Sequence, residues 1–138
     1  MRLSEDEARA RFAAARVARL ATITPDGRPH LVPIVFALEQ DVLHFAVDRK
    51  PKSTTALRRL ANVAAHPDVA LLVDHYADDW TQLWWVRADG TATVRDATAD
   101  VLARLAEKYP TYVDEPPPGP VVEVAISRWT GWRSSSSS

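Results

Sequence analysis

Along most of this chain, hydrophobic and polar side chains alternate at every second residue, a pattern that predicts short β-strands. Residues 17–24 are rich in β-forming types and stop at Pro25-Asp26-Gly27, a sequence typical of a tight turn. The chain returns through residues 29–38, in which Pro33 lacks a backbone N–H and therefore predicts a sheet edge or a bulge. Residues 42–47 alternate again after another polar turn. Three consecutive strands joined by tight turns predict an antiparallel meander.

Two segments of the first half carry the signals of helices instead. Ser4 and Glu7 have the spacing of a capping box, so the alanine-rich residues up to Arg16 predict a first helix. Phe12 is the only large apolar side chain of that helix, so we expect the helix to dock weakly. Ser53 predicts the start of a second helix. Its inward stripe is expected to consist of Leu57, Leu60, Ala61 and Ala64.

The second half continues with strands around one more helix. Residues 69–73 form a short apolar run that is typical of a strand buried on both faces, and a long strand-rich region covers residues 80–94. Asp96 predicts the start of a third helix, which ends at Pro110. A proline-rich loop then leads to a last strand, whose inward face is expected to be Val122, Val124 and Ile126.

These elements add up to about six strands and three short helices without a regular strand–helix alternation. That pattern predicts an α+β fold with a closed or nearly closed antiparallel sheet. No internal repeat or linker interrupts the chain, so we expect a single domain over residues 1–133. The polar serine tail, residues 134–138, is expected to be unstructured.

Composition narrows the class of protein. Its 17 basic and 18 acidic residues nearly cancel, which argues against a nucleic-acid or membrane partner. The longest apolar run is far shorter than the ~20 residues that span a bilayer, and the acidic start does not resemble a signal peptide. We therefore expect a cytoplasmic protein. The absence of cysteine excludes disulfides, thiolate metal sites and a cysteine nucleophile.

The segment Arg49-Lys50-Pro51-Lys52-Ser53-Thr54 is the most informative for chemistry. It places three cations just before a predicted helix, where the helix N-terminus already carries partial positive charge. A bound phosphate would relieve this repulsion, with Lys50 and Lys52 supplying charge and Ser53 and Thr54 supplying hydroxyl donors. A solvated basic turn, with Ser53 acting only as a cap, is the alternative.

The five tryptophans are a second unusual feature. Trp84 and Trp85 are adjacent, and neighbouring side chains of a strand point to opposite faces, so one of them must point away from its own core. An outward tryptophan is typical of an interface or a ligand wall, although helices covering both faces would explain it equally well.

No acid–base or nucleophilic constellation is evident. The four histidines have no metal-ligand spacing, and no serine lies in a Gly-x-Ser-x-Gly turn. We therefore assign no catalytic residue and no metal site, and we expect any redox or transfer chemistry to come from a bound cofactor.

Several of these segments occur in the order and spacing of one known family. They are Val17 to His30, Val32 to Phe36, Lys50-Pro51-Lys52-Ser53, Trp84 to Ala92, and Trp129-Thr130-Gly131-Trp132-Arg133. In these segments the chain resembles the pyridoxamine 5′-phosphate oxidase-like split β-barrels, and within them the F420-dependent reductases. The resemblance implies a six-stranded antiparallel split β-barrel with short flanking helices.

The resemblance also implies a homodimer with two cofactor sites at the interface. In such a site Lys50, Lys52 and Ser53 would hold the cofactor phosphate. The backbone of the second strand would pass along the cofactor ring at Pro33, Ile34 and Val35. A strand of the other subunit would wall the site with Trp80, Trp84 or Trp85.

The function implied is an F420H₂-dependent reductase that transfers hydride to an electron-poor small molecule. Arg49, Arg58 and Arg59 could supply the positive charge that the anionic F420 tail needs. An FMN-binding oxidase or reductase of the same fold is one alternative. A non-catalytic dimer that binds a cofactor or a tetrapyrrole is the other.

Overall fold

One antiparallel sheet with helices around it forms the fold. The computed structural model describes residues 1–47 and 54–134, with the backbone alone for residues 54–57. The strands are β1 (Ala18–Ile23), β2 (Pro29–Ile34), β3 (Ala37–Glu39), β4 (Val42–Ala46), β5 (Asp68–His75), β6 (Trp84–Arg95) and β7 (Val121–Arg133). The helices are α1 (Glu5–Ala14), α2 (Thr54–Ala65), α3 (Ala99–Lys108) and α4 (Thr111–Asp114), with a 3₁₀ turn at Trp80–Gln82. The predicted α+β class is confirmed.

The strand count and the closure of the barrel were predicted wrongly. The sheet has seven strands in the order β2-β1-β5-β6-β7-β4-β3, and among the described residues no ladder joins β2 to β3. The extra strand arises because the run predicted over residues 29–38 is interrupted at Val35 and Phe36. Before the interruption the chain pairs with β1, and after it the chain pairs with β4.

The interruption carries the chain from one edge of the sheet to the other. The three Cα–Cα steps from Ile34 to Ala37 can span at most roughly 11 Å. The sheet must therefore curl until its edges lie close together, which leaves an open seam between β2 and β3. The expectation that Pro33 lies at a sheet edge is confirmed, since β2 is an edge strand.

Phe36 anchors the crossing in the core. Its ring is fully buried and lies 5.1 Å from the ring of Phe12, which in turn lies 5.4 Å from that of Trp129. The Phe36 backbone N–H donates to the Tyr109 hydroxyl at 3.2 Å, and that hydroxyl donates to the Arg16 carbonyl at 2.9 Å. The prediction that α1 docks weakly was wrong, because its single aromatic side chain is completely buried.

The two longest strands, β6 and β7, form the spine of the sheet. They pair from Trp84↔Arg133 to Arg95↔Val121, and the register shifts between Asp89 and Gly90. β7 also pairs with β4, so it joins the two halves of the sheet. At the shift the backbones approach so closely that a Cβ on Gly90 would lie 2.5 Å from the Ala125 carbonyl oxygen.

The predicted inward stripe of α2 is only partly correct. Leu60 is half-buried, but Ala61 and Ala64 are exposed, and the side chain of Leu57 lies outside the described part of the chain. Val63 and the polar Asn62 face the core in their place. The Asn62 Nδ2 donates to the Thr22 hydroxyl at 3.0 Å, while its buried Oδ1 has no hydrogen-bond partner.

Other local predictions meet mixed outcomes. The capping box of α1 is confirmed, as is the turn at Pro25-Asp26-Gly27, in which Gly27 has a φ of 88°. The cap of α3 is Thr98 rather than Asp96, because the Thr98 hydroxyl accepts from the Val101 N–H. β5 is buried on one face only, with Leu72 exposed on the other. None of the described helices has the length and apolar character needed to cross a bilayer.

Asp41, in the turn between β3 and β4, ties three elements together. Its Oδ1 accepts from the Trp129 indole at 2.8 Å and from Arg9 at 2.9 and 3.1 Å. These donors lie on β7 and α1. The hydrogen bond from Trp129 and those from Arg9 lower the pKa of the Asp41 carboxyl below its usual value of 3.8.

Gly90→Ala tests the close approach of β6 and β7. The new methyl group cannot move away from a backbone oxygen, so we expect a loss of about 1–3 kcal/mol in the free energy of unfolding, measured by urea denaturation. Gly119→Ala is the matched control, since its Cβ would lie 4.0 Å from the nearest side chain, that of Val47. Equal stability of the two variants would contradict the tight contact.

Asp41→Asn tests the tie between α1 and β7. Because the folded protein lowers the pKa of this carboxyl, its stabilising effect is present above pH ~4 and disappears as the pH falls through the lowered pKa. The side chain is half-exposed, so we expect a loss of only about 1 kcal/mol at neutral pH. Urea denaturation of both proteins across this pH range should show the difference shrinking with acid, and a constant difference would argue against it.

Candidate functional site

A cleft opens at the seam where the two sheet edges meet. It has a volume of about 330 Å³. Its lining comes from the start of β1, the end of β2, the end of β4, and the helices α2 and α4. The lining residues are Val17, Pro33, Ile34, Val35, Ala46, Arg59 and Tyr112. The cleft therefore lies on the β2 side of the seam, and its described lining includes no residue of β3.

One wall of the cleft is the apolar end of β2. Ile34 is buried and forms the last pair of the β1–β2 ladder, opposite Ala18. Val35 lies beyond that pair, so the ladder leaves its peptide groups available to a ligand. Pro33 presents a flat ring and no N–H. A planar apolar ring system would pack against this wall without burying an unpaired strand donor at Pro33.

Among the described lining residues, Arg59 is the one that carries a charge. Its Nε is buried and has no hydrogen-bond partner. An unpaired buried donor on a guanidinium is costly unless an acceptor completes it. The cleft thus offers an apolar wall and a cationic donor that an anionic or carbonyl-bearing ligand would satisfy.

The described residues of the cleft contain no acid–base pair. None of the described residues that line it is a histidine or a carboxylate. In the described part of the chain, no group of three or more histidine or carboxylate residues converges as a metal site would require. The described lining is suited to binding and positioning a ligand.

Lys108 and Tyr109 both contact Phe36, the residue that anchors the crossing between β2 and β3. The Lys108 ammonium lies 3.7 Å from the centre of the Phe36 ring. Burial, together with the charge of Arg16, lowers the pKa of Lys108 to about 8. Burial also raises the pKa of Tyr109, which keeps the hydroxyl that bonds Phe36 and Arg16 protonated at neutral pH.

The predicted cofactor residues are only partly brought together. Pro33, Ile34 and Val35 line the cleft side by side. Lys50, Lys52 and Ser53 lie outside the described residues, and Thr54 is the first residue of α2 with its side chain outside them as well. In the sequence, this basic segment connects β4, whose last residue lines the cleft, to α2, which carries Arg59.

The predicted tryptophans lie away from the cleft of their own chain. Trp80 is 74% exposed in the 3₁₀ turn before β6. Trp84 packs against the core, and its neighbour Trp85 points to the opposite face of β6. The prediction that one of this adjacent pair points away from the core is therefore confirmed, while a role for either Trp80 or Trp85 in binding stays a prediction.

Four lining residues were not predicted as part of the ring-binding wall. Val17 and Ala46 are small apolar residues at strand ends and carry no signal of their own. Tyr112 comes from α4, inside a segment interpreted as loop. Arg59 was considered only as charge for a cofactor tail, because its helix face could not be assigned without the contacts of α2.

Comparison with known protein families identifies the family of this chain. A family model described as "Pyridoxamine 5'-phosphate oxidase" matches residues 4–133. A search of curated protein sequences found no significant match.

Solved structures share the fold over nearly the whole chain. The conserved hypothetical protein Rv2991 of Mycobacterium tuberculosis is 25% identical with a TM-score of 0.75, and the match covers 95% of this chain and 85% of that one. An FAD-binding protein (mll6688) of Mesorhizobium loti is 21% identical with a TM-score of 0.72, over 95% and 93% of the two chains. An FAD-binding protein of Mycobacterium smegmatis is 22% identical with a TM-score of 0.67, over 96% and 97%.

Arg59→Met tests whether the unpaired guanidinium lowers the stability of the ligand-free protein. Methionine keeps the length and apolar stem of the side chain but removes the unpaired Nε, so we expect the free protein to be as stable as the wild type or more so. Arg58→Met, an exposed neighbour on α2, is the control and should change little. Thermal denaturation without ligand measures both, and a loss of more than about 1 kcal/mol for Arg59→Met alone would show a structural role instead.

Proposed function

We propose, since the chain belongs to the pyridoxamine 5′-phosphate oxidase family, that it is an oxidoreductase holding a flavin-type cofactor in the seam cleft. The observation that carries the proposal is the cleft itself, in which an apolar wall stands beside an arginine with an unpaired buried nitrogen. A flavin-type cofactor combines a flat ring system with a negatively charged chain, so its two parts match these two features.

The fit can be stated residue by residue. The ring would lie along Pro33, Ile34 and Val35, where the peptide groups of Val35 are not used by the ladder. Arg59 would donate to a carbonyl or phosphate oxygen. The basic segment from Lys50 to Thr54 would neutralise the phosphate, as the repulsion among its cations predicts. The two FAD-binding proteins that share the fold support a cofactor of this class.

Our first choice of cofactor is F420, with FMN or FAD as the second candidate. F420 carries a long anionic tail, and α2 presents adjacent arginines, Arg58 and Arg59, beyond the basic segment. The resemblance to the F420-dependent reductases supports the same choice. The FAD-binding relatives favour the second candidate.

When bound in reduced form, such a cofactor supplies a hydride to an electron-poor double bond, which also takes up one proton. The described lining residues include no carboxylic acid or histidine, and solvent would supply the proton. The protein's part is to fix the ring against Pro33 to Val35, to hold the negative charge, and to keep water from the reacting face.

We also propose that the protein acts as a homodimer. The face of the sheet opposite the core carries exposed apolar side chains on three strands: Leu31, Leu72 and Trp132. Trp85 points to the same face. A second copy packed there would cover this apolar surface and would bring an outward tryptophan toward the other copy's cleft, as the resemblance implies.

Titration of the purified protein with F420, FMN and FAD, followed by tryptophan fluorescence, tests the proposal. We expect F420 to bind with a dissociation constant of about micromolar order and FMN more weakly. Lys52→Ala and Arg59→Met should each weaken binding about tenfold or more, because each removes a charge-assisted contact. Arg128→Met, an exposed arginine on β7, is the control.

The outcomes separate the alternatives. If Arg58→Met weakens F420 binding but not FMN binding, the tail contact is supported. Tighter binding of FMN or FAD would move the protein to the second candidate, and binding of haem but of no flavin would assign the tetrapyrrole carrier. Light scattering should give the mass of a dimer, and the titration should saturate at two cofactors per dimer. Binding of none of these ligands would remove the proposal.

A further inference from the structure

A second cleft lies at the end of the sheet under α1, away from the seam. It has a volume of about 340 Å³, and none of its described lining residues also lines the seam cleft. Its walls come from α1, the end of β5, the 3₁₀ turn and the facing ends of β6 and β7. The lining residues are Arg11, His75, Thr81, Gln82, Leu83, Trp84, Arg133 and Ser134.

Strand register places three of these side chains in one row. His75 pairs with Trp84, and Trp84 pairs with Arg133, across three neighbouring strands. The residues two positions inward, Val73, Val86 and Gly131, are all buried. Because side chains on a strand alternate between faces, the row of His75, Trp84 and Arg133 points to the core side, where α1 packs.

Arg11 completes the row from the helix. Its guanidinium carbon lies 5.1 Å from the centre of the Trp84 ring, and the His75 ring stacks on Trp84 at 6.4 Å with an interplanar angle of 24°. Trp84 therefore holds Arg11 and His75 in place with its π-system. Arg133 stands beside the same ring on the next strand.

The two guanidiniums of this cleft lack carboxylate partners. Within the described ranges, Arg9, Arg28, Arg87, Arg95 and Arg104 each form an ion pair. No ion pair joins a described carboxylate to Arg11 or Arg133. The carboxylate of Glu7 accepts from the Ser4 N–H at 3.1 Å as part of the capping box. These Ser4 hydrogen bonds, and to a smaller extent the charges of Arg133 and Arg11, lower the pKa of Glu7.

Two half-buried cations therefore share one cleft with no carboxylate bonded directly to either, and an anion that enters from solution would offset their mutual repulsion. Guanidinium groups match the oxygens of a phosphate with paired hydrogen bonds, and the cleft is large enough for more than one phosphate. We infer that the cleft formed by Arg11, His75, Trp84 and Arg133 binds a diphosphate group, separately from the cofactor in the seam.

The probe is inorganic pyrophosphate at low salt, followed by amide and indole NMR signals. Binding should shift the signals of Leu83, Trp84 and Arg133. Arg11→Gln and Arg133→Gln should each weaken this binding about tenfold or more, because each removes one charged donor. Arg128→Gln, on the same strand but exposed and outside the cleft, is the control. Circular dichroism of each variant checks that the fold is kept.

Lys52→Ala separates this site from the cofactor site. It should leave the pyrophosphate shifts at Trp84 unchanged even where it weakens cofactor binding. A parallel titration with ADP identifies the source of the group: tighter binding than pyrophosphate assigns a nucleotide, and equal binding assigns the free anion. Shifts confined to residues near Arg59, or equal affinity of Arg11→Gln, Arg133→Gln and wild type, would overturn the inference.

Discussion

The passage of the chain from β2 to β3 determines much of this structure. It moves the backbone from one edge of a seven-stranded sheet to the other within Val35 and Phe36. A connection that short forces the sheet to curl, and since no ladder joins the two edges among the described residues, the curl leaves a seam rather than a closed wall. The cleft is that seam. The same residues thus set the shape of the sheet and form the wall of the candidate site.

Holding the crossing in place requires contacts from outside the sheet. Phe36 packs on Phe12, and the Tyr109 hydroxyl accepts a hydrogen bond from the Phe36 backbone N–H. On the far side, β7 pairs with both β6 and β4, and Asp41 ties β7 to α1 through Trp129 and Arg9. These contacts combine apolar burial with part-buried hydrogen bonds. The seam can therefore stay open without loosening the fold around it.

The sequence predicted most of the helices, strands and turns, but it did not predict which of them pair or pack with each other. The capping box of α1 and the Pro25-Asp26-Gly27 turn depend on a few adjacent residues, so they could be predicted. The alternation over residues 29–38 shows which side chains are apolar. It does not show that the chain stops pairing with β1 at Ile34 and begins to pair with β4 at Ala37. Asn62 faces the core because Thr22 is there to accept its N–H, and hydrophobicity alone places an asparagine outside. The Pro33 to Val35 wall was named from resemblance, whereas Arg59 needed the actual orientation of α2.

The arginines of this protein divide by how their charge is compensated, and the division bears on function. Arg9 bonds Asp41, and Arg95 bonds Glu123, so folding itself satisfies them. Arg59 keeps an unpaired buried nitrogen, and Arg11 and Arg133 share a cleft without forming an ion pair to any described carboxylate. Leaving a buried donor such as the Arg59 Nε unpaired lowers stability, and an apolar residue of similar length would avoid that cost. A ligand of opposite charge in either cleft would offset the uncompensated charge there. The charged groups that contribute least to the fold are therefore the strongest pointers to what the protein binds.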